Sequence, residues 1–216
     1  TYRVHAPELP GFGESTGEEL LEDMLDFTLH GWDMVDALGI GRPVLVGHSL
    51  GGMIAAEMAC VAPERVERLA LLAPAGLWLD DHPVADIFST LPQHMPALLF
   101  HDPAAGTGVL TGGIDFSDDK ALTEFFVGNA RRLGTAGKIL FPIPDRRLAK
   151  RLYRHRADTL LVWGESDRVV PPIYADAWRQ RMPAAEVSVA MVREAGHMLT
   201  VERGDEVAAL VEKFGA

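Results

Sequence analysis

One cysteine, Cys60, stands among 216 residues, so no disulfide can close within the chain. A lone thiol fits a reducing compartment and makes the cytoplasm the expected location. Long apolar runs are missing as well; none approaches the ~18 residues of a membrane-spanning helix. Positive charge is scarce, with 20 Lys and Arg against 31 Asp and Glu and a formal net charge of −11. That balance argues against nucleic acid, whose phosphates call for a basic face, and against anionic membrane surfaces. No Cys/His cluster has zinc spacing, and no internal repeat or low-complexity tract is present. The segment "PGFGESTGEE" is glycine-rich but lacks the Gly-Lys-Ser/Thr of a phosphate loop. Its Glu14, Glu18 and Glu19 would repel phosphate, and a loop lining a pocket is the simpler reading.

What is present suits a packed globular chain. Apolar residues make up 48% and charged residues 24%, enough for a sizeable core. Short apolar runs alternate with helical patterns, the pattern of an α/β fold with a mostly parallel, doubly wound sheet. "TYRVHA" reads as a strand over Tyr2–Ala6, with no turn or partner strand before it. A helix is predicted from Glu18 to Leu38, its stripe formed by Leu21, Leu25, Thr28, Trp32 and Val35. "GRPVLVG" gives a buried strand at Pro43–Val46. "LGGMIAAEMACVAPE" gives a helix ending before Pro63, and "VERLALLAP" a strand at Arg68–Leu72. Between Gly76 and Arg156 the register breaks. About 80 residues are too many for a simple crossover, which points to an inserted, mostly helical cap over residues 77–150. Within it, a helix is predicted with Ser117 as N-cap, Arg131 and Arg132 late and Gly134 after its end. The basic run "DRRLAKRLYRHR" reads as a solvated hinge helix. Beyond it come a strand at Thr159–Trp163, a helix opening near Pro172, a strand in "AEVSVAMV" and a last helix capped by Asp205.

The strongest chemical signal is "VLVGHSLGG". A β run enters Gly47-His48-Ser49-Leu50-Gly51 and a helical pattern leaves it. In this strand–turn–helix setting a tight, strained turn holds the serine hydroxyl clear of the backbone. Gly47 and Gly51 are expected to let neighbouring backbone pass without a Cβ clash. The helix N-terminus points partial positive charge at an anion forming there. With six serines and 21 glycines, chance predicts roughly 0.06 matches to G-x-S-x-G, before any demand for context.

A serine hydroxyl needs a base, usually histidine. In a parallel sheet, reactive groups gather beyond the C-terminal ends of the strands, which selects His197 in "REAGHMLT" among eight histidines. His155 precedes a strand and lies at the opposite edge. His48 is expected to hydrogen-bond or pack the turn, and His5 reads as structural. His82, His94 and His101 belong to the cap, and His30 to the solvated side of the first helix. The base needs an acid partner. "LLVWGESDRVVPP" offers Asp167, with Glu165 as the alternative on the same side.

Together, "VGHSLGG", "LLVWGESDRVVP" and "EAGHMLTVERGDEV" resemble three signature segments of the α/β-hydrolase family, and "YRVHAPELPGFGES" is similar to the segment after that family's oxyanion loop. The resemblance covers residues 1–76 and 151–216. It implies an α/β-hydrolase core with a helical cap at 77–150, in which Ser49 is the nucleophile, His197 the base and Asp167 its orienting acid. The Leu50 backbone N–H would be an oxyanion donor. It also implies that the opening run is the family's fourth strand, that the first three are missing, and that Tyr2–Ala6 cannot then pair with Val44–Val46. A second oxyanion donor would be lost with them, and the chain would be a fragment of a longer protein. The expected activity is hydrolysis of an ester or related acyl bond of a small hydrophobic substrate. Carbon–carbon hydrolysis of ring-fission products, a cofactor-free perhydrolase, and a non-catalytic ligand receptor on this fold stay open. No cofactor and no metal are expected. The partners expected are a small-molecule acyl substrate and, as an option left open, a second copy of the chain. Candidate pocket walls are Trp78, Phe88, Met95, Leu98, Leu99, Phe125 and Phe126.

Overall fold

The structure, a computed structural model, describes residues 2–141 and 147–216. Its frame is a parallel sheet of four strands in sequential order: β1 (Val44–His48), β2 (Arg68–Leu72), β3 (Thr159–Gly164) and β4 (Val187–Val192). All three pairings are parallel and in continuous register, from Val44 beside Arg68 to Gly164 beside Val192. All six residues of β3 are buried. Successive side chains point to opposite faces, so both faces of this strand are covered, as a parallel sheet requires. β1 and β4 are less enclosed; Val46 and Met191 are exposed.

The strand β2 keeps the bounds expected from its apolar run, and β1, β3 and β4 shift by one or two residues. The opening run does not hold: Tyr2–Ala6 forms no strand. A strand needs a hydrogen-bonded neighbour, and β1 pairs with β2 alone among the described residues. Tyr2 instead places its ring against Gly215 at the end of the last helix.

The first helix also departs from its predicted bounds. Glu18–Leu20 is a 3-10 turn, Leu21 turns extended, and α1 (Met24–Ala37) starts anew behind Asp23. The Asp23 carboxylate accepts from the N–H groups of Leu25 and Asp26, an N-cap that fixes this start. The buried face of α1 is Met24, Phe27, Thr28, Gly31, Trp32 and Val35, while Leu25 is exposed. It packs on α2 (Leu50–Val61), a helix buried on nearly every side. Trp32 Nε1 donates to Met58 O at 3.2 Å. A Cβ at Gly31 would lie 2.6 Å from Met58 Sδ, so glycine sets how closely the two helices approach.

Residues 77–141 contain α3 (Met95–Leu99), α4 (Pro103–Thr111) and α5 (Asp119–Leu140), with no strand. The cap of α5 is Asp118, not Ser117: its carboxylate accepts from Lys120 and Ala121 N–H, while Ser117 bonds back to Asp115. The helix also runs through Gly134 to Leu140, because Thr135, Ala136 and Ile139 are buried against α1 and α2. Packing there outweighs the poor helix propensity of glycine. The same helix grips the loop at 11–21. Arg131 donates to both Glu18 carboxylate oxygens at 2.6 and 2.8 Å and to Ser15 O, and Lys138 Nζ donates to Glu18 O and Leu21 O.

The basic run after it makes 3-10 turns at Leu148–Lys150 and Leu152–Arg154, with Leu148 and Leu152 fully buried, rather than a solvated helix. Its Asp145 and Arg146 lie outside the described residues. The remaining helices are α6 (Tyr174–Arg181), α7 (Leu199–Glu202) and α8 (Gly204–Gly215). Asp205 lies inside the first turn of α8 rather than at its cap. Tyr174 is fully buried; its hydroxyl donates to His82 O and accepts from Leu79 N–H, each at 2.9 Å, tying the chain after β2 to α6. No helix among the described residues is long and apolar enough to cross a membrane.

Candidate active site

Parallel strands end at one rim, and three loops meet there, those after β1, β3 and β4. Ser49 stands between β1 and α2 at φ 51°, ψ −113°, a strained backbone for any residue but glycine. Its N–H donates to Leu72 O, and its carbonyl accepts from Met53 N–H and Ala75 N–H, so the turn is held from both sides. A Cβ at Gly47 would run into the carbonyl of Gly51, and one at Gly52 would lie 2.8 Å from Pro74 Cβ. A Cβ at Gly51 would meet open space, so the second close approach falls at Gly52, not at Gly51 as expected from the motif.

The loop after β3 turns sharply, with Asp167 N–H donating to Gly164 O. The Asp167 Oδ1 atom accepts from Val169 and Val170 N–H at 2.8 and 2.9 Å. Those bonds point its other oxygen, Oδ2, at His197 Nδ1, 2.8 Å away. Glu165, the alternative acid, is exposed. On the far side of the ring, His197 Nε2 lies 2.7 Å from Ser49 Oγ. Both Asp167 and His197 are buried, at 5% and 4% exposure, so this relay is shielded from competing water. A carboxylate can only accept; Nδ1 therefore carries the proton, and bare Nε2 accepts from the serine hydroxyl.

His48 Nε2 donates to the backbone carbonyl of His197 at 2.7 Å, and the two rings lie 5.1 Å apart. Burial, then the neighbouring His197, lowers the His48 pKa to about 4, so its imidazole stays neutral at pH 7. His155 lies at the opposite end of β3, fully buried and 2.8 Å from Thr159 Oγ1. Leu50 is the first residue of α2, where a helix leaves its N–H without an intrahelical acceptor.

A cavity of about 250 Å³ opens over Ser49 and His197. Trp78 and Leu99, both named from sequence, line it, and the other five do not. Phe88 packs against Phe141 with ring centroids 4.9 Å apart. Phe125 and Phe126 join Phe116 in a separate aromatic cluster, Leu98 packs on the main core, and Met95 is half-buried at the start of α3. The aliphatic walls missed in the sequence include Leu77, Ile87, Leu140, Val169 and Val170. Val169 and Val170 carried a usable signal, since they lie two and three residues after Asp167 in the same loop. Apart from His48, Ser49 and His197, the lining side chains are apolar or are Trp78, whose indole N–H already donates to Asp80 at 3.0 Å.

A family model described as "Alpha/beta hydrolase family" matches residues 1–210. Among curated relatives, the dihydrolipoyllysine-residue acetyltransferase component of the acetoin cleaving system of Pseudomonas putida is 33% identical over 95% of this chain and 54% of its own length. The chain thus spans about half the length of that relative. The 2-hydroxy-6-oxo-6-phenylhexa-2,4-dienoate hydrolase of Burkholderia cepacia is 29% identical over 99% of this chain and 77% of its own. Among solved structures, a meta-cleavage product hydrolase from Pseudomonas fluorescens IP01 aligns with a TM-score of 0.72 at 22% identity, over 97% of this chain and 78% of that one. At that identity the likeness concerns the fold.

Proposed function

Because the chain belongs to the alpha/beta hydrolase family, we propose that it is a serine hydrolase acting on ester or related acyl bonds of small, apolar substrates. One observation carries the reading: the unbroken run of hydrogen bonds from Asp167 through His197 to Ser49, at 2.8 and 2.7 Å. In this mechanism Ser49 Oγ attacks the carbonyl carbon as its proton passes to His197 Nε2. Asp167 holds the ring and stabilises the imidazolium. The negative oxygen of the tetrahedral intermediate is met by the Leu50 N–H at the head of α2. Its collapse expels the leaving group, which takes the proton from His197 and leaves an acyl-Ser49 ester. His197 then draws a proton from water, whose oxygen attacks that ester, and collapse of this second tetrahedral intermediate releases the acid as His197 returns the proton to Ser49 Oγ.

Residues 77–150 are read as the cap over a core formed by 1–76 and 151–216, with residues 1 and 142–146 outside the described residues. Its share of the cavity wall includes Leu77, Trp78, Val84, Ile87, Leu99 and Leu140. A wall so poor in free polar groups suits an uncharged acyl or aromatic group.

The test is a fluorophosphonate, with the adduct located by mass. Labelling at Ser49 that is lost in Ser49→Ala and in His197→Ala supports the proposal. No labelling of folded protein sinks it and favours a ligand-binding role. Asp167→Asn should lower ester kcat by about 10²–10⁴ through loss of the correct tautomer.

A second reading, cleavage of a carbon–carbon bond next to a ketone, is favoured by the Burkholderia relative. Turnover of a 2-hydroxy-6-oxo dienoate with no turnover of p-nitrophenyl esters would select it.

A further inference from the structure

The segment from Ala97 to Asp102 runs between the Asp167 loop and the His197 loop and is bonded to both. On the first side, Arg168 Nη1 donates to Ala97 O at 2.7 Å and to Phe100 O at 3.1 Å, and His101 Nδ1 lies 2.8 Å from Ser166 Oγ. On the second, Met198 N–H donates to Leu99 O at 3.0 Å. Contact there is so close that a Cβ at Gly196 would lie 2.7 Å from Leu99 O and 2.8 Å from His101 N.

One carboxylate closes this joint. Glu202, half-buried at the end of α7, accepts through Oε1 from His101 N–H at 2.7 Å and Asp102 N–H at 3.3 Å. Through Oε2 it accepts from Gly196 N–H at 2.7 Å. Gly196 immediately precedes His197, and Leu99 and Met198 both line the cavity. A charged acceptor shared by backbone donors is a strong and directional tie.

We propose that Glu202 is a positioning residue: one carboxylate sets both the place of the His197 ring and the place of the cavity wall at Leu99. The proposal rests on the acyl-transfer reading above. Glu202→Gln keeps the shape but turns an N–H₂ toward one of the donors, breaking one arm. Displacements of about 1 Å in a reacting geometry cost up to 10²-fold in rate.

The experiment compares the unaltered chain with Glu202→Gln. It reads the second-order rate of fluorophosphonate labelling at Ser49, and kcat and KM for p-nitrophenyl esters of graded chain length, with kcat expressed per titrated Ser49. The expected result is a loss of about tenfold or more in both labelling rate and kcat, together with a changed chain-length preference in KM. A residue that only supports the fold would lower the melting temperature while leaving kcat per titrated site unchanged, and that outcome overturns the proposal. Should Glu202→Gln yield no folded protein, Glu202→Asp, a shortened carboxylate, decides. It is expected to lower kcat per site by at least a few-fold, and kcat per site equal to that of the unaltered chain overturns the proposal. Absence of Ser49 labelling in the unaltered chain would instead overturn the acyl-transfer reading and, with it, this one.

Discussion

Glu57 on α2 and Arg151, 94 residues later in the chain, form a two-armed ion pair across the body of the molecule. The Nε arm is 2.8 Å long, and the Glu57 side chain is only 4% exposed. A buried carboxylate tolerates no loss of its partner. Arg151→Met should cost about 3–5 kcal/mol of unfolding free energy, read as a lower urea midpoint at unchanged slope. A shift within about 0.5 kcal/mol would mean that Glu57 is solvated after all.

The turn at Ser49 predicts opposite fates for two glycines of one motif. Gly51→Ala has open space for its methyl and should leave labelling and the melting temperature nearly unchanged. Gly47→Ala drives its methyl into the Gly51 carbonyl and should cost on the order of 3 kcal/mol or displace the turn. Comparable melting temperatures for the two variants would refute this account of the motif.

Ser49 itself sits at φ 51°, so its removal should relieve strain. Ser49→Gly is expected to abolish ester turnover while raising stability by about 1–3 kcal/mol. Thermal melts of the two proteins check this, and a less stable glycine variant would count against a strained turn.

Two histidines, the buried His155 and the half-buried His48, set a sensitivity to acid. Desolvation lowers the pKa of both His48 and His155 from 6.5 to about 4. Between those values the unfolded chain binds protons that the folded chain refuses, so the contribution of these two histidines falls as pH drops from 6.5 toward 4 and changes little below. Each pKa unit is worth about 1.4 kcal/mol, so urea midpoints across that window should record a loss of several kcal/mol, at most about 7 for the two together. His155→Gln should flatten part of the slope; an unchanged pH profile would place the protonation elsewhere.

Cys60 is 1% exposed, and its thiol is pushed up to about 12, chiefly by burial and then by Glu57 nearby. A disulfide reagent at pH 8 should therefore modify the folded chain slowly and the urea-unfolded chain at once. Rapid modification of the folded protein would show that α2 opens locally.

Ser49, Asp167 and His197 were legible from sequence because each follows a strand that its own apolar run declares, and parallel strands must end at one rim. The cavity was not legible, since which aromatic of 77–141 turns inward depends on how α3, α4 and α5 dock. Phe125 and Phe126 match a pocket wall in composition, yet Phe125 pairs with Phe116 and Phe126 with Phe125 instead. Tyr2–Ala6 has strand composition, but pairing is a property of two segments and only one of them is in that stretch. Gly134 has the local propensity of a helix stop. Ile139, fully buried five residues on, overrides that propensity through contacts with distant helices.

A chamber walled mainly by aliphatic side chains, with Trp78 beside them, would read a guest by bulk rather than by pattern. Within it every added methylene brings a similar gain until the far wall is reached, after which the next one is refused. Selectivity in such a molecule would therefore show as a sharp cutoff in size rather than as a preference for any functional group.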